Sequence, residues 1–312
     1  MISWARRLRE RGIVGINQRN AEFIMPYNPR KHFPLVDDKL RTKKLAIENG
    51  IAVPELYSTV EIEHDVHTML DTLKHYSSFV IKPNNGSGGN GVLVIGGRIG
   101  SHFSKASGVI VNGQQIQRHT SNILSGMYSL GGVPDTAIIE YRVESDPFFD
   151  SISYQGVPDI RVIVFRGMPV ASMLRLPTRD SDGKANLHQG AIGVGVDIGT
   201  GVTRSGVRAN DMTKVHPDTL QPIDGLQLPY WETIMTLAAR CSELVGLNYI
   251  GVDIVIDRSK GPLVLELNAR PGLNVQLATG RGLLFNLRAV EAMDNIPARA
   301  EDRVALAREK LG

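Results

Sequence analysis

The stretch 249-YIGVDIVID-RSKG-PLVLELNARPG-272 reads as a β-hairpin, two runs alternating at period two on either side of the turn signal Arg258-Ser259-Lys260-Gly261. With a four-residue loop, or a tighter two-residue loop in the same register, Asp253 stands directly opposite Glu266. Asn268 lies on the same face one diagonal step away, because one face of a strand recurs every second residue. Ile254, Ile256, Leu265 and Leu267 are expected to fill the other face. Two carboxylates directly opposed in a sheet repel each other, and a cation between them relieves the repulsion. Asp253, Glu266 and Asn268 are hard oxygen donors with no Cys or His among them, a set that suits Mg²⁺, with Mn²⁺ as the alternative ion. Mg²⁺ commonly completes its shell with waters and substrate phosphates, so the hairpin points to a nucleotide–magnesium site. The competing reading is a half-exposed strand pair with solvated charges.

Length and composition narrow the classes. A chain of 312 residues is long enough for two domains or one large multi-lobed unit. The net charge of +3 is mild, and no Arg/Lys block is interleaved with aromatics, so no nucleic-acid partner is expected. Cys241 is the single cysteine, which excludes an intramolecular disulfide or a Cys-based metal site and fits a reducing cytoplasm. It falls seven residues after Ile234 and four after Leu237 in a helical run over 229–246, the pattern of a small core residue rather than a nucleophile. No apolar stretch approaches the ~20 residues of a transmembrane helix, and the N-terminus lacks the apolar core of a secretory signal, so a cytoplasmic protein is expected. Met1, Trp4, Ala5 and Leu8 form one helical stripe with Arg6, Arg7, Arg9 and Arg11 elsewhere. The stripe is expected to dock on the protein's own core, with a membrane-surface or partner helix as the alternative.

Along the chain, 12–36 reads as irregular, punctuated by Pro26, Pro29 and Pro34. Asp37-Asp38 cap a helix over 39–49 that Gly50 stops, and a second helix is expected over 61–75. Strands are expected at 79–83, 92–95 and 136–141, a helix at 115–131, and a hairpin of 159–165 with 169–176 about Arg166-Gly167. The polar connection 177–190 is long enough to carry function. Strands arrive as hairpins with helices between them, which favours α+β lobes with mostly antiparallel sheets over a doubly wound parallel fold.

The loop 83-PNNGSGGNGV-92 joins two strands. Gly86, Gly88, Gly89 and Gly91 let backbone N–H groups approach an anion, and Ser87 and Asn90 add donors. No Gly-Lys-Ser/Thr closes the loop and no helix follows it, so it is neither a Walker A loop nor a dinucleotide fingerprint. Lys82 precedes it, and Lys39 begins a helix, where it is a candidate second phosphate contact, although on that evidence alone the reading as a solvated surface lysine wins.

DKLRTK, then Gly50-Ile51-Ala52-Val53-Pro54, FVIKP with its glycine loop, IIEYRV, DIRVIVFRG, ANLHQG and GVDIVID…LVLELNARPG together resemble, in order and spacing, the ATP-grasp superfamily. The likeness covers about 37–280 and is greatest to α-L-glutamate ligases of the type that modifies a ribosomal protein. It implies two α+β lobes gripping ATP between them, divided as a short extension 1–38, a small lobe 39–142, a large lobe 143–295 and a C-terminal helix 296–312. It implies that Lys39 and Lys82 contact ATP phosphates, that the 86–91 loop closes over them, and that Glu140, Tyr141, Arg142 and Val143 form a segment beside adenine. A carboxylate among Glu144, Asp146 and Asp150 would hold the ribose, Asp253, Glu266 and Asn268 the Mg²⁺, and Arg161, Arg175, Asn186 and His188 would face the γ-phosphate and acyl site. Relatives carry an N-terminal α/β domain before this region, and only 38 residues precede Lys39 here. Arg19, Asn20, Asn28 and Arg30 are therefore read either as a substitute acceptor site or as groups that satisfy loop backbone, with a homo-oligomer as a further source of the wall.

The resemblance implies an ATP- and Mg-dependent ligase joining a small carboxylate, glutamate first, to an amine, peptide or envelope precursor through an acyl phosphate; some relatives serve sugar-transfer systems. The alternatives are a phosphotransferase and a non-catalytic nucleotide-binding adaptor.

Overall fold

The computed structural model describes residues 4–86, 88–129, 131–209 and 211–312. The chain divides into two compact units, Asp38–Arg41 with Pro54–Val143, and residues up to Asp37 with Thr42–Val53 and Glu144–Gly312.

The smaller unit is built on β1 (Leu56–Val60), β2 (Phe79–Pro83), β3 (Leu93–Ile99), β4 (His102–Lys105), β5 (Ile110–Val111) and β6 (Ala137–Glu140), an antiparallel sheet in the order β1-β6-β2-β3-β4-β5. Helices Glu63–Leu73 and Gly113–Leu124 pack on it. Asn112 and Gln115 close a reciprocal capping box that starts the second of these helices. Phe79, Ile81, Ile95, Ile116, Ile123 and Ile139 are fully buried in this unit's core. Alternation along β2 then puts Lys82 on the opposite face from Phe79 and Ile81, and its register partner Ile138 shares that face with Glu140.

The larger unit holds β7 (Asp159–Phe165), β8 (Met168–Leu176), β9 (Ile192–Val196), β10 (Thr203–Arg208), β11 (Asp211–Thr213), β12 (Tyr249–Asp257) and β13 (Gly261–Asn268). Their order is β11-β10-β9-β8-β7-β12-β13, and every pairing is antiparallel. Helix Trp231–Val245 packs across β7, β12 and β13, burying Ile234, Ala238 and Cys241 against the Ile160, Val162, Val252 and Ile254 side of the sheet. Burial pushes the Cys241 thiol up to about 12, which keeps it an inert core residue.

Several expectations change. The hairpin register places Asp253 opposite Glu266 as expected, but the pairing slips at Ile254, which faces Val264. Leu265 is the extra residue of a β-bulge and is 36% exposed, so it does not join the buried face with Ile254, Ile256 and Leu267. The loop shortens accordingly: Asp257 pairs with Gly261, and the Asp257 carboxylate accepts the Ser259 and Lys260 N–H groups.

Residues 12–36 are not irregular; a π-helical turn Arg19–Ile24 runs into Met25–Tyr27. Pro26 has no N–H to give to the preceding turn, and the wider turn lies just before it. Phe23 from this segment packs edge-on against Phe165 at 5.6 Å, and the Asn28 carboxamide bonds both the N–H and the carbonyl of Tyr249. The segment expected as a separate extension thus counts with the larger unit, as does helix Ala300–Leu311, which buries Val304, Ala307 and Leu311. Leu8 is 47% exposed rather than docked; Met1 and the side chains of Trp4 and Ala5 lie outside the described residues. Among the described residues, no helix is long and apolar enough to cross a membrane.

Candidate functional site

In the larger unit, the hairpin turn at Arg166 (φ 50°) and Gly167 (φ 75°) sets β7 against β8 so that Asp159 faces Arg175. Pairing of β7 with β12 sets Arg161 against Asp253, and pairing of β12 with β13 sets Asp253 against Glu266. The result is a charged row across four neighbouring strands. Arg161 grips Asp253 with two parallel bonds, Nε to Oδ1 at 2.7 Å and Nη2 to Oδ2 at 2.6 Å. Arg175 Nη2 reaches Asp253 Oδ2 at 2.8 Å and Asp159 Oδ2 at 2.5 Å, and its Nε donates to Asp159 Oδ1. Asn268 Nδ2 adds a bond of 3.3 Å to Asp253. Asp159 and Asp253 are buried, and the side chains of Arg161 and Arg175 are only 13% and 12% exposed.

Burial opposes the Asp253 charge, but the guanidiniums of Arg161 and Arg175 overcome it and hold the carboxyl well below the usual range. Asp159 goes the other way. Burial, with the Asp253 charge behind it, pushes its carboxyl up to about 6 against the pull of Arg175. Asp159 is the member of this network that sequence reading missed, although its position two residues before Arg161 on an alternating strand is a usable signal.

The two guanidiniums change what the opposed carboxylates need. Asp253 already has counter-charge from its own sheet, so the repulsion of opposed carboxylates does not by itself demand a metal. Among the described residues, no three His, Cys, Asp or Glu side chains gather as a metal site. The donor chemistry still fits Mg²⁺: two carboxylates stand at facing register positions, and the Asn268 carboxamide, whose nitrogen donates to Asp253 at 3.3 Å, carries a hard oxygen of its own.

Asn186 and His188 stand apart from this network. Among the described residues, neither has a hydrogen bond or ion pair with the row; the Asn186 carboxamide instead accepts the His188 N–H at 3.0 Å, and His188 is exposed. The turn between them does lie near the row, because Leu187 covers Gly193, the β9 partner of Arg175. Arg19 and Asn28 prove to satisfy backbone, Arg19 donating to the Pro271 carbonyl at 2.6 Å and also to Asn20. Arg30 is exposed. Of the three ribose candidates, Asp146 caps the turn Pro147–Phe149 by accepting the Phe148 N–H, and Asp150 is exposed.

The smaller unit holds the other predicted groups. Lys82 forms a buried ion pair with Glu140 at 2.5 Å. The Lys39 ammonium donates to the Gly86 carbonyl at 2.5 Å and the Asn84 carbonyl at 3.3 Å, so it ties the root of the glycine-rich loop. Asn84 also accepts the Leu40 N–H, and Asp135 accepts the Asn85 N–H at 2.9 Å. Neither Asn84 nor Asp135 stood out in the sequence. Gly88, Gly89 and Gly91 adopt positive φ, and a Cβ on Gly89 would meet nothing within 4 Å, which leaves that turn open. Ser87 lies outside the described residues. In the 140–143 segment the Tyr141 N–H goes to the Glu55 carbonyl at 2.8 Å, so that group is not the one to read a base. Arg142 and Val143 follow it in the chain, at the end of the smaller unit.

A family model described as sugar-transfer associated ATP-grasp matches residues 18–292. The chain belongs to this family. Curated relatives include a probable alpha-L-glutamate ligase of Psychromonas ingrahamii, 29% identical over 133 residues, 42% of this chain and 33% of that protein. Another, of Hydrogenovibrio crunogenus and with the same name, is 24% identical over 89% of this chain and 70% of its own length. The chain thus spans a third of the first relative and about two thirds of the second. Among solved structures, D-alanine–D-alanine ligase from Bacillus anthracis complexed with ATP is similar at 15% identity and a TM-score of 0.47, over 90% of this chain and 70% of that one. As an ATP-grasp protein, the chain has the two antiparallel sheets that the sequence implied.

Proposed function

We propose that this ATP-grasp protein is an ATP- and Mg-dependent ligase that joins a carboxylate to an amine through an acyl phosphate. The observation that carries this is the charged row Arg175, Asp159, Arg161, Asp253 and Glu266, which sets two guanidiniums beside a hard-oxygen donor set on one sheet face. A carboxylate is a poor electrophile, and phosphorylation gives it a leaving group. The charge of the migrating phosphoryl group spreads over its oxygens, so positioned cations do most of the work. Arg161 and Arg175 are held rigidly by Asp253 and Asp159 and would present their remaining N–H groups to that charge and to the tetrahedral oxyanion of amine attack. Asp253, Glu266 and Asn268 would hold Mg²⁺, which supplies charge neutralisation to the phosphates. Lys39, Lys82 and the 86–91 loop would hold the nucleotide phosphates, with Glu140 holding Lys82 in place, and the 140–143 segment would meet the base. The names of the relatives make glutamate the first candidate acid, with a peptide amine or an envelope precursor as acceptor.

Product analysis tests the reading. ATP with amino acids and short peptides should release ADP and phosphate, and added hydroxylamine should trap a hydroxamate. AMP as product would mean adenylation and would refute the acyl phosphate. Stimulation by alcohols or sugars without hydroxamate would make the protein a phosphotransferase.

A further inference from the structure

A cavity of about 290 Å³ lies in the smaller unit between the β3–β5 ladder and helix Gly113–Leu124. Leu93, Val111 and Ile116 supply its apolar lining. Its ionisable lining residues are Lys105, Arg118 and His119; no Asp or Glu is among them. Among the described residues, neither Lys105 nor Arg118 has an ion-pair partner. Lys105, half-buried, and Arg118, exposed, thus set two cations at one part-apolar cavity whose lining holds no counter-charge. Burial, and the Lys105 charge besides, push His119 below its ordinary value although its bond to the Gly91 carbonyl pulls upward. The carboxamides of Gln115 and Asn122 complete a lining rich in N–H donors.

The cavity is linked to the glycine-rich loop through His119. His119 Nε2 lies 2.9 Å from the Gly91 carbonyl oxygen, a geometry in which the ring donates. The Tyr128 ring packs on His119 with centroids 5.6 Å apart. A Cβ on Gly91, whose φ is +73°, would fall 2.5 Å from that same tyrosine ring. His119 and Tyr128 therefore clasp the end of the loop that leads into β3, opposite the root tied by Lys39.

We propose that this cavity is a second anion site, taking a small phosphate-bearing ligand on Lys105, Arg118 and His119, and that its occupancy restrains the glycine-rich loop through the His119–Gly91 bond. The Lys105 ammonium and the Arg118 guanidinium together offer more donors than a carboxylate can accept, and the several oxygens of a phosphate group match them, while the His119 Nε2–H stays on the Gly91 carbonyl. The apolar side takes the rest of the ligand. The binding stands on this cavity alone; an effect on nucleotide affinity rests additionally on the loop being the nucleotide loop.

The test titrates the full chain, free of nucleotide, with inorganic phosphate at constant ionic strength, following the His119 ring by NMR and hydrogen exchange at the 88–92 amides. Saturable shifts of the ring and slowed exchange are expected. Lys105→Gln with Arg118→Gln should weaken phosphate by at least about tenfold, the scale of lost charge-assisted bonds, while Lys39→Gln leaves it unchanged. Absence of a saturable shift, full binding in the double variant, or loss of binding in Lys39→Gln overturns the site. Binding with unchanged exchange overturns the restraint. Phosphate binding that survives in a protein shown to form AMP would sink the acyl-phosphate reading and leave this site standing.

Discussion

Arg175 is bonded to two buried carboxylates at once, so its removal is more than the loss of a phosphoryl contact. Breaking a buried pair from one side typically costs about 3–5 kcal/mol, because a charge is left without compensation. Arg175→Met should therefore lower the unfolding free energy by about that amount. Arg175→Met with Asp159→Leu should recover much of it, as urea unfolding in a double-mutant cycle would reveal. Equal losses in the single and double variants would contradict the pairing. Asp159 carries a second expectation. Its folded carboxyl is raised to about 6, above its unfolded value, so the folded state holds the proton more tightly. Its contribution to stability is fully present below the unfolded carboxylate range and fades as pH rises through about 6. Asp253 is depressed and acts oppositely, its contribution present above the unfolded value and lost only on strong acidification. Carboxyl NMR should find one carboxyl in the row titrating near 6 and absent from Asp159→Asn.

At the level of elements, the glycine-rich loop is tied at both ends and open in the middle. Lys39, Asn84 and Asp135 hold its root, His119 and Tyr128 hold its end, and Gly89 between them meets nothing that a side chain would strike. The amides at 88–90 should therefore exchange quickly in the free protein and slow with a non-hydrolysable ATP analogue and Mg²⁺. The amide of Asn85, held by Asp135, should be protected in both states. Unchanged exchange at 88–90 would count against a phosphate role for the loop. The β12–β13 hairpin shows how an element departs from its pattern. Period-two alternation foresaw the Asp253–Glu266 pair, and the bulge at Leu265 escaped notice because alternation carries no mark of an inserted residue unless a glycine or polar residue flags it.

For the whole molecule, ATP binding should appear as linkage. A ligand that binds only the folded state stabilises it by about 2.7 kcal/mol at a hundred times its Kd. A non-hydrolysable ATP analogue with Mg²⁺ should raise the melting temperature, and Glu266→Gln should abolish the part of the rise that needs Mg²⁺ while leaving the ligand-free melt close to wild type. A Mg²⁺-dependent rise that survives in Glu266→Gln would remove Glu266 from the metal set.

Local pattern alone was enough for the strands at 79–83, 159–165 and 249–257, the helices beginning at Lys39 and near Pro229, and the facing of Asp253 with Glu266, because period and turn chemistry act between near neighbours. The order of motifs likewise pointed to the ATP-grasp family. What occupies Asp253 was decided only in three dimensions. Arg161 and Arg175 lie 92 and 78 residues before it, and only the pairing of β8, β7 and β12 brings guanidiniums onto its carboxylate. The same holds for Phe23 and Asn28, whose segment read as irregular until β12 and β7 gave it a surface to cover, and for Asp159, whose proton affinity is set by burial and by a neighbour two strand positions away. Charge in a sheet is governed by who stands opposite, and that is fixed by register and strand order, which no single segment of the chain contains.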